Sequence, residues 1–343
     1  MKGKNRGIMK KKYMQKKICL ILTGFLFLTG CSDSREITGD IEKIQANAKM
    51  CLLSVEDELY KELQEKRGCL ERNPVLPEET ENLEGNMMAE PEIMETDWSS
   101  YFDGLNGAAV VYNPSKKQYM IYNMEQALTR RSPCSTFKIV SSLIALENGI
   151  VEPDNSIHTW SGETFWNENW NRDIDFAEAF RTSCVWYFRE VIDETGSRLI
   201  QTELNNLQYG NCDISDWEGR FNTNNNNRAL NGFWLESSLK ISPKEQAEVM
   251  ERIFGETSVY SEEAKSELKQ VMLVTDQDKT DFPIYGKTGM GKDKGAVVDA
   301  WFTGFAEGRE ENIYFCVYLG RTDDKDVSSG AAKEIAIELI AGL

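Results

Sequence analysis

Histidine is almost missing from this 343-residue chain: His158 is the only one. A single imidazole excludes multi-histidine zinc sites and most Ser-His-Asp hydrolases, because one residue would have to supply everything. His158 itself reads as a loop histidine near a turn. Basic charge is also short, with 39 Lys and Arg against 56 Asp and Glu, and eight of the basic residues fall within the first 17 positions. The rest is strongly acidic, which argues against non-specific nucleic-acid binding. No long apolar run is present; residues 18–28 fall well short of the ~20 needed for a membrane-spanning helix. The eight cysteines lack metal-ligand or framework spacing, so no disulfide scaffold is implied, and a pairing of Cys51 with Cys69 stays open. There is no internal repeat. The one low-complexity patch, residues 222–227, is read as a surface loop.

What is there is globular, with 41% apolar, 10% aromatic and 28% charged residues. The length suits one large domain with appendages, or two domains. Eight basic residues, an apolar stretch and Leu28-Thr29-Gly30-Cys31 make a secretory signal layout over residues 1–30. The residues before Cys31 resemble a bacterial lipobox. That resemblance implies an exported bacterial protein with a lipid on Cys31, held at the membrane surface outside the cytoplasm. Ordinary signal cleavage is the alternative.

Residues 31–70 carry apolar positions Ile37, Ile41, Ile44, Ala48, Leu52, Val55, Leu59 and Leu63, one helical face. At ~1.5 Å per residue, its ~30 residues would reach ~45 Å, as a stalk or as a helix packed on the main domain. Residues 71–97 hold nine acidic groups against Arg72, with three prolines, and read as a flexible linker. The main domain is expected over residues 98–343.

Within that domain, alternating segments 108–112 and 118–122 around Asn113-Pro114-Ser115 predict a hairpin. Helices are expected over 136–147, around 184–192, and over 243–253, where Ser242 and Glu245 form a capping box behind Pro243. Strands at 284–287, 300–306 and 313–319 precede a last helix over 331–340. This predicts an α+β fold: an antiparallel sheet closed by the two termini, flanked by helices, with a helical subdomain.

Ser135-Thr136-Phe137-Lys138 opens a helix after Pro133 and sets a hydroxyl and an amine three residues apart on one face, a geometry that can activate a nucleophile. The same template recurs at Ser237–Lys240 and Ser266–Lys269, so order and company must decide. Downstream follow Ser183-Cys184-Val185, Tyr209-Gly210-Asn211, Phe233-Trp234-Leu235-Glu236, then Lys287-Thr288-Gly289 on an expected strand before Trp301-Phe302-Thr303-Gly304. Singly, Trp234 and Val185 read as core residues and Lys287 as a solvated strand lysine. Together and in this order they resemble the penicillin-recognising serine enzymes, specifically class D (oxacillinase-type) β-lactamases, across essentially all of residues 98–343.

The resemblance implies that Ser135 is the nucleophile that opens the lactam of a β-lactam antibiotic to an acyl-enzyme, which water then hydrolyses. It implies that Lys138 reacts with carbon dioxide to become an N-carboxylated general base, with no metal or other cofactor. Val185, Leu235 and Phe137 are expected around that lysine, and Trp234 is expected to hold the carboxylate through its indole N–H. Ser183 would pass a proton to the leaving nitrogen. Lys287 and Thr288 would hold the substrate carboxylate, and the N–H groups of Ser135 and of Met290, after Gly289, would form the oxyanion hole. Tyr209 and Asn211 look supportive. Many class D enzymes carry an arginine on the last helix; here Ala332 aligns with it, leaving Lys333 or Arg321 as substitutes. Two rivals share the motifs: a β-lactam sensor that is acylated and stops, and a peptidoglycan peptidase or transpeptidase, against which the Trp234 segment argues.

Overall fold

A computed structural model describes residues 90–274, 283–308 and 311–343. Cys31, the signal layout, the expected stalk helix, Cys51, Cys69 and residues 71–89 of the expected linker lie outside these described residues.

The central element is a six-stranded sheet in the order β1-β3-β2-β6-β5-β4. Its strands are β1 (Glu92–Glu95), β2 (Gly107–Asn113), β3 (Gln118–Tyr122), β4 (Ile284–Asp293), β5 (Ala296–Glu307) and β6 (Asn312–Gly320). The hairpin forms as its turn residues require: the Asn113 side-chain oxygen accepts from Lys116 N–H at 2.9 Å, and Lys117 N–H reaches Pro114 O at 3.1 Å. The termini close the sheet through antiparallel pairing of β2 with β6. The sheet is mixed rather than purely antiparallel, because β1 runs parallel to β3 at the edge. This strand sits in the segment expected as linker. All four of its residues are exposed, so they show none of the apolar alternation that marks a half-buried strand.

Helices cover both faces. Along β5, Ala300, Phe302 and Ala306 face α9 (Ser329–Ala341), packing against its Ala332, Ile335, Ala336 and Leu339. Phe305 points the other way, into the larger core with α3 (Lys138–Glu147), α5 (Val185–Thr195) and α8 (Glu262–Met272). The remaining helices are α1 (Ser99–Phe102), α2 (Met124–Leu128), α4 (Phe176–Arg181), α6 (Ser197–Leu207) and α7 (Pro243–Phe254). The capping box of α7 closes as expected, with Ser242 N–H on Glu245 Oε2 at 2.9 Å and Glu245 N–H on Ser242 Oγ at 3.3 Å. In α3, every residue from Lys138 to Ala145 is buried, as befits a helix surrounded by protein. Ser135 lies just before it, in a 3₁₀ turn (Cys134–Phe137), so the expected helix over 136–147 starts as the tighter form.

Candidate active site

Pro133, with φ preset at −68°, starts the turn that carries Ser135. Trp234 clasps this turn through its carbonyl, which accepts from Cys134 N–H at 3.0 Å and from Ser132 Oγ at 3.1 Å. On the other side β4 comes so close that a Cβ on Gly289 would lie 3.0 Å from Pro133 O and 3.0 Å from Thr136 Cγ2. Glycine is what lets the strand and the serine turn touch. Three non-glycine residues beside the cleft hold left-handed backbone: Cys134 (φ 50°), Ser183 (φ 58°) and Glu236 (φ 46°). Such conformations cost about 1–3 kcal/mol each and persist only where the surroundings enforce them.

Lys138 is 1% exposed and donates Nζ–H to Ser135 Oγ at 3.0 Å. Burial pulls its pKa down to about 8, so a neutral amine is accessible near physiological pH. Its ammonium faces the ring of Phe188, 5.3 Å from the centroid, an aromatic wall that the Ser-Cys-Val motif did not announce. Phe137, expected in this pocket, adjoins Lys138 and packs on Trp234 at 6.2 Å. Trp234 is fully buried, and its Nε1–H has no hydrogen-bond partner among the described residues. A buried donor without an acceptor is uncommon, and it leaves this indole N–H free to take one, as it does that of Trp301.

Lys287, 6% exposed, donates to Ser183 Oγ at 3.2 Å. Burial, helped by the nearby charge of Lys138, lowers its pKa to about 7. Lys287 is therefore no solvated strand lysine. Ser183 stands in the sharp connection between α4 and α5, and its strained backbone turns its hydroxyl toward Lys287.

Ser135, Ser183, Val185, Leu235, Thr288, Gly289 and Met290 line one cleft of about 420 Å³. Lys138 is bonded to Ser135, Lys287 to Ser183, and Trp234 is fully buried next to cleft-lining Leu235. The same cleft brings in residues that sequence reasoning missed, Trp166, Trp170, Lys292 and Ser329, and Glu236, which it quoted in a motif without giving it a place. Residues 222–227 are not merely a surface loop, because Asn222 is buried and Asn222, Asn224 and Asn225 line the cleft. Their contacts are long-range: Asn222 donates to Glu236 Oε2 at 3.1 Å and Asn224 to Lys292 O at 2.7 Å. Neither proposed substitute for the last-helix arginine lines the cleft. Arg321 pairs with Asp326 at 2.9 Å, while Ala332 is buried against the sheet. Among the described residues that line the cleft, Lys292 is a cation.

A serine on a tight turn, a depressed lysine beneath it and a second serine–lysine pair facing it are the equipment of serine acyl transfer. Residues 107–341 match the penicillin binding protein transpeptidase domain, and the chain belongs to this family of penicillin-recognising serine proteins. Within it, the relatives are of two kinds. The probable β-lactamase YbxI of Bacillus subtilis (strain 168) is 32% identical over 240 residues, covering 70% of this chain and 81% of YbxI. A solved class D β-lactamase from Bacillus subtilis is 31% identical with a TM-score of 0.61, covering 72% of this chain and 96% of that one. The regulatory protein BlaR1 of Bacillus licheniformis is 28% identical over 246 residues, 71% of this chain but only 38% of BlaR1. The solved C-terminal domain of the Bacillus licheniformis BlaR penicillin-receptor has a TM-score of 0.63 at 27% identity, covering 74% of this chain and 97% of that domain.

Proposed function

We propose that the protein is a class D-type serine β-lactamase, acting on penicillins and related β-lactams. The observation that carries the reading is a buried Lys138 of lowered pKa, 3.0 Å from Ser135 Oγ; the indole N–H of Trp234, without a partner among the described residues, is the donor the resemblance assigns to its carboxylate. Together they fit an N-carboxylated lysine: the amine is neutral enough to add carbon dioxide, and a donor waits for the anion. A carboxylate on Lys138 would supply a general base near the serine hydroxyl and near the water that later attacks the ester. Ser135 Oγ attacks the lactam carbonyl, while its own N–H and that of Met290 receive the oxyanion. Ser183 passes a proton to the lactam nitrogen, drawing on Lys287, and Lys287 with Thr288 meets the substrate carboxylate.

The similarity to a penicillin receptor favours a second reading, in which Ser135 is acylated and the ester persists. Val185 and Leu235 line the cleft, and their apolar side chains resemble those of deacylating enzymes more than those of sensors. Intact-mass measurement after exposure to a penicillin decides between them: a transient adduct that is lost on Ser135→Ala supports the hydrolase, a permanent one supports the sensor. We also propose export and lipidation at Cys31, on the strength of the basic, apolar and Leu-Thr-Gly-Cys pattern. Radiolabelled palmitate incorporation that disappears in Cys31→Ser tests it.

A further inference from the structure

Asp216 fixes the long connection between α6 and α7. Its buried carboxylate accepts from Arg220 N–H at 2.9 Å, from Phe221 N–H at 2.7 Å and from Ser237 Oγ at 2.5 Å. Gly219, at φ 70°, lies so near Gly232 that an added Cβ would stand 2.4 Å from the Gly232 nitrogen. The chain closes on itself there because residue 219 has no side chain. From α5, Asp193 pairs with Arg189 and also meets Arg228 at 2.8 Å, while Glu218 meets Arg228 at 2.7 Å. With two carboxylates on it, the Arg228 guanidinium is neutralised and belongs to the frame.

This frame encloses a second cavity of about 410 Å³, whose lining includes Glu218, Arg220, Arg228, Asn222 and Asn225. Asn222 and Asn225 also line the cleft of Ser135, so the two spaces adjoin. Asn222 is spent on the loop itself. Its Nδ2 donates to Asn231 Oδ1 at 2.9 Å and to Glu236 Oε2 at 3.1 Å, and its Oδ1 accepts from Asn224 N–H at 2.9 Å. Asn225 is spent at one end only: Oδ1 accepts from Asn227 N–H at 2.9 Å, and Nδ2 has no hydrogen-bond partner among the described residues. Arg220 is exposed, and its guanidinium makes no ion pair or hydrogen bond among the described residues. One carboxamide donor and one guanidinium thus line the same cavity uncommitted. Such a pair suits an anionic acceptor.

We propose that this second cavity is a subsite for a carboxylate on the acyl side chain of a β-lactam, with Arg220 supplying the charge and Asn225 an N–H donor. The proposal rests on the β-lactam reading of the adjoining cleft. Lys287 and Thr288 are there assigned to the carboxylate of the ring system, so a second carboxylate needs a cation of its own. A side chain that leaves the cleft past Asn225 meets Arg220.

The test compares two penicillins that differ by one group, a phenylacetyl side chain and its α-carboxylated counterpart. Rapid-quench intact mass gives the second-order rate of Ser135 acylation, whether or not the ester is hydrolysed afterwards. The ratio of the two rates, carboxylated over plain, should fall roughly two- to fivefold in Arg220→Gln, the worth of one exposed ion pair. Arg220→Lys keeps the charge and should restore most of the ratio. Asn225→Asp keeps an oxygen for Asn227 N–H but replaces the donor with a negative charge, so there the ratio should fall at least as far. An unchanged ratio in Arg220→Gln or in Asn225→Asp overturns the subsite, as does an Arg220→Lys variant no better than Arg220→Gln. An unmodified Ser135 in the unaltered protein overturns the β-lactam reading and the subsite with it, whereas acylation with an unchanged ratio overturns the subsite alone.

Discussion

Lys138 Nζ donates to Ser135 Oγ at 3.0 Å from a position that leaves the lysine 1% exposed. The relationship joins fold to chemistry, because the burial that lowers the lysine's pKa is the burial of α3 in the larger core. A solvated lysine at the same spacing would stay protonated and could not add carbon dioxide.

Lys138→Arg separates charge from basicity. The guanidinium can still hydrogen-bond Ser135, but it cannot give up its proton. We expect kcat/KM on a chromogenic β-lactam to fall by about 10²–10⁴, the range for loss of a general base. Activity near that of the unaltered protein would remove Lys138 from the chemistry.

Trp234→Phe deletes the unpartnered indole N–H and keeps an aromatic ring against Phe137 and Phe233. Deacylation should slow by roughly ten- to a hundredfold, as for a lost hydrogen bond to a charged group, and acylation should slow less. Rapid-quench mass spectrometry reads both rates, and an unchanged acyl-enzyme lifetime contradicts the assignment.

The pH profile follows from two lysines with opposite requirements. Lys138, at about 8, must be deprotonated, so activity is lost as pH falls below its pKa. Lys287, pulled down to about 7 by burial and by the charge of Lys138, must be protonated to meet a carboxylate, so activity is lost as pH rises above its pKa, which moves up once Lys138 is uncharged or carboxylated. The profile of kcat/KM should be a bell whose alkaline limb belongs to Lys287. In Lys287→Arg the alkaline limb should move away, since that cation does not titrate in this range; an alkaline limb that stays in place would assign it to another group.

Gly289→Ala tests the contact between β4 and the serine turn. The added methyl meets Pro133 O and Thr136 Cγ2 at 3.0 Å, so the strand and turn must separate slightly. Misplacing reacting groups by even ~1 Å can slow a reaction ~10²-fold, so a loss of about tenfold in kcat/KM is expected with the circular-dichroism spectrum unchanged. Full activity would mean that the turn and strand tolerate separation.

Elements written in local chemistry were legible before the structure: the Asn113 hairpin, the Ser242–Glu245 capping box and the last helix all appear where their residues predict. β1 was not, because Glu92, Ile93, Met94 and Glu95 are all exposed and their pairing with β3 leaves no pattern along the chain. At the site, ordered motifs identified Ser135, Ser183 and Lys287, and the structure brings them together. The places of Phe188 and Lys292 in the site, and the roles of Glu236 and of the asparagines read only as a surface loop, were not legible for one physical reason. Their roles come from contacts between distant segments, such as Asn224 with Lys292, and neither spacing nor periodicity records those.

Turnover of a chromogenic β-lactam by the full chain, in carbon-dioxide-depleted buffer and again with added bicarbonate, tests the central claim most directly. A hydrolase that uses carboxylated Lys138 should complete many turnovers, at a rate that rises with bicarbonate. One stoichiometric burst in both buffers would contradict the account and leave a protein that is acylated and stops.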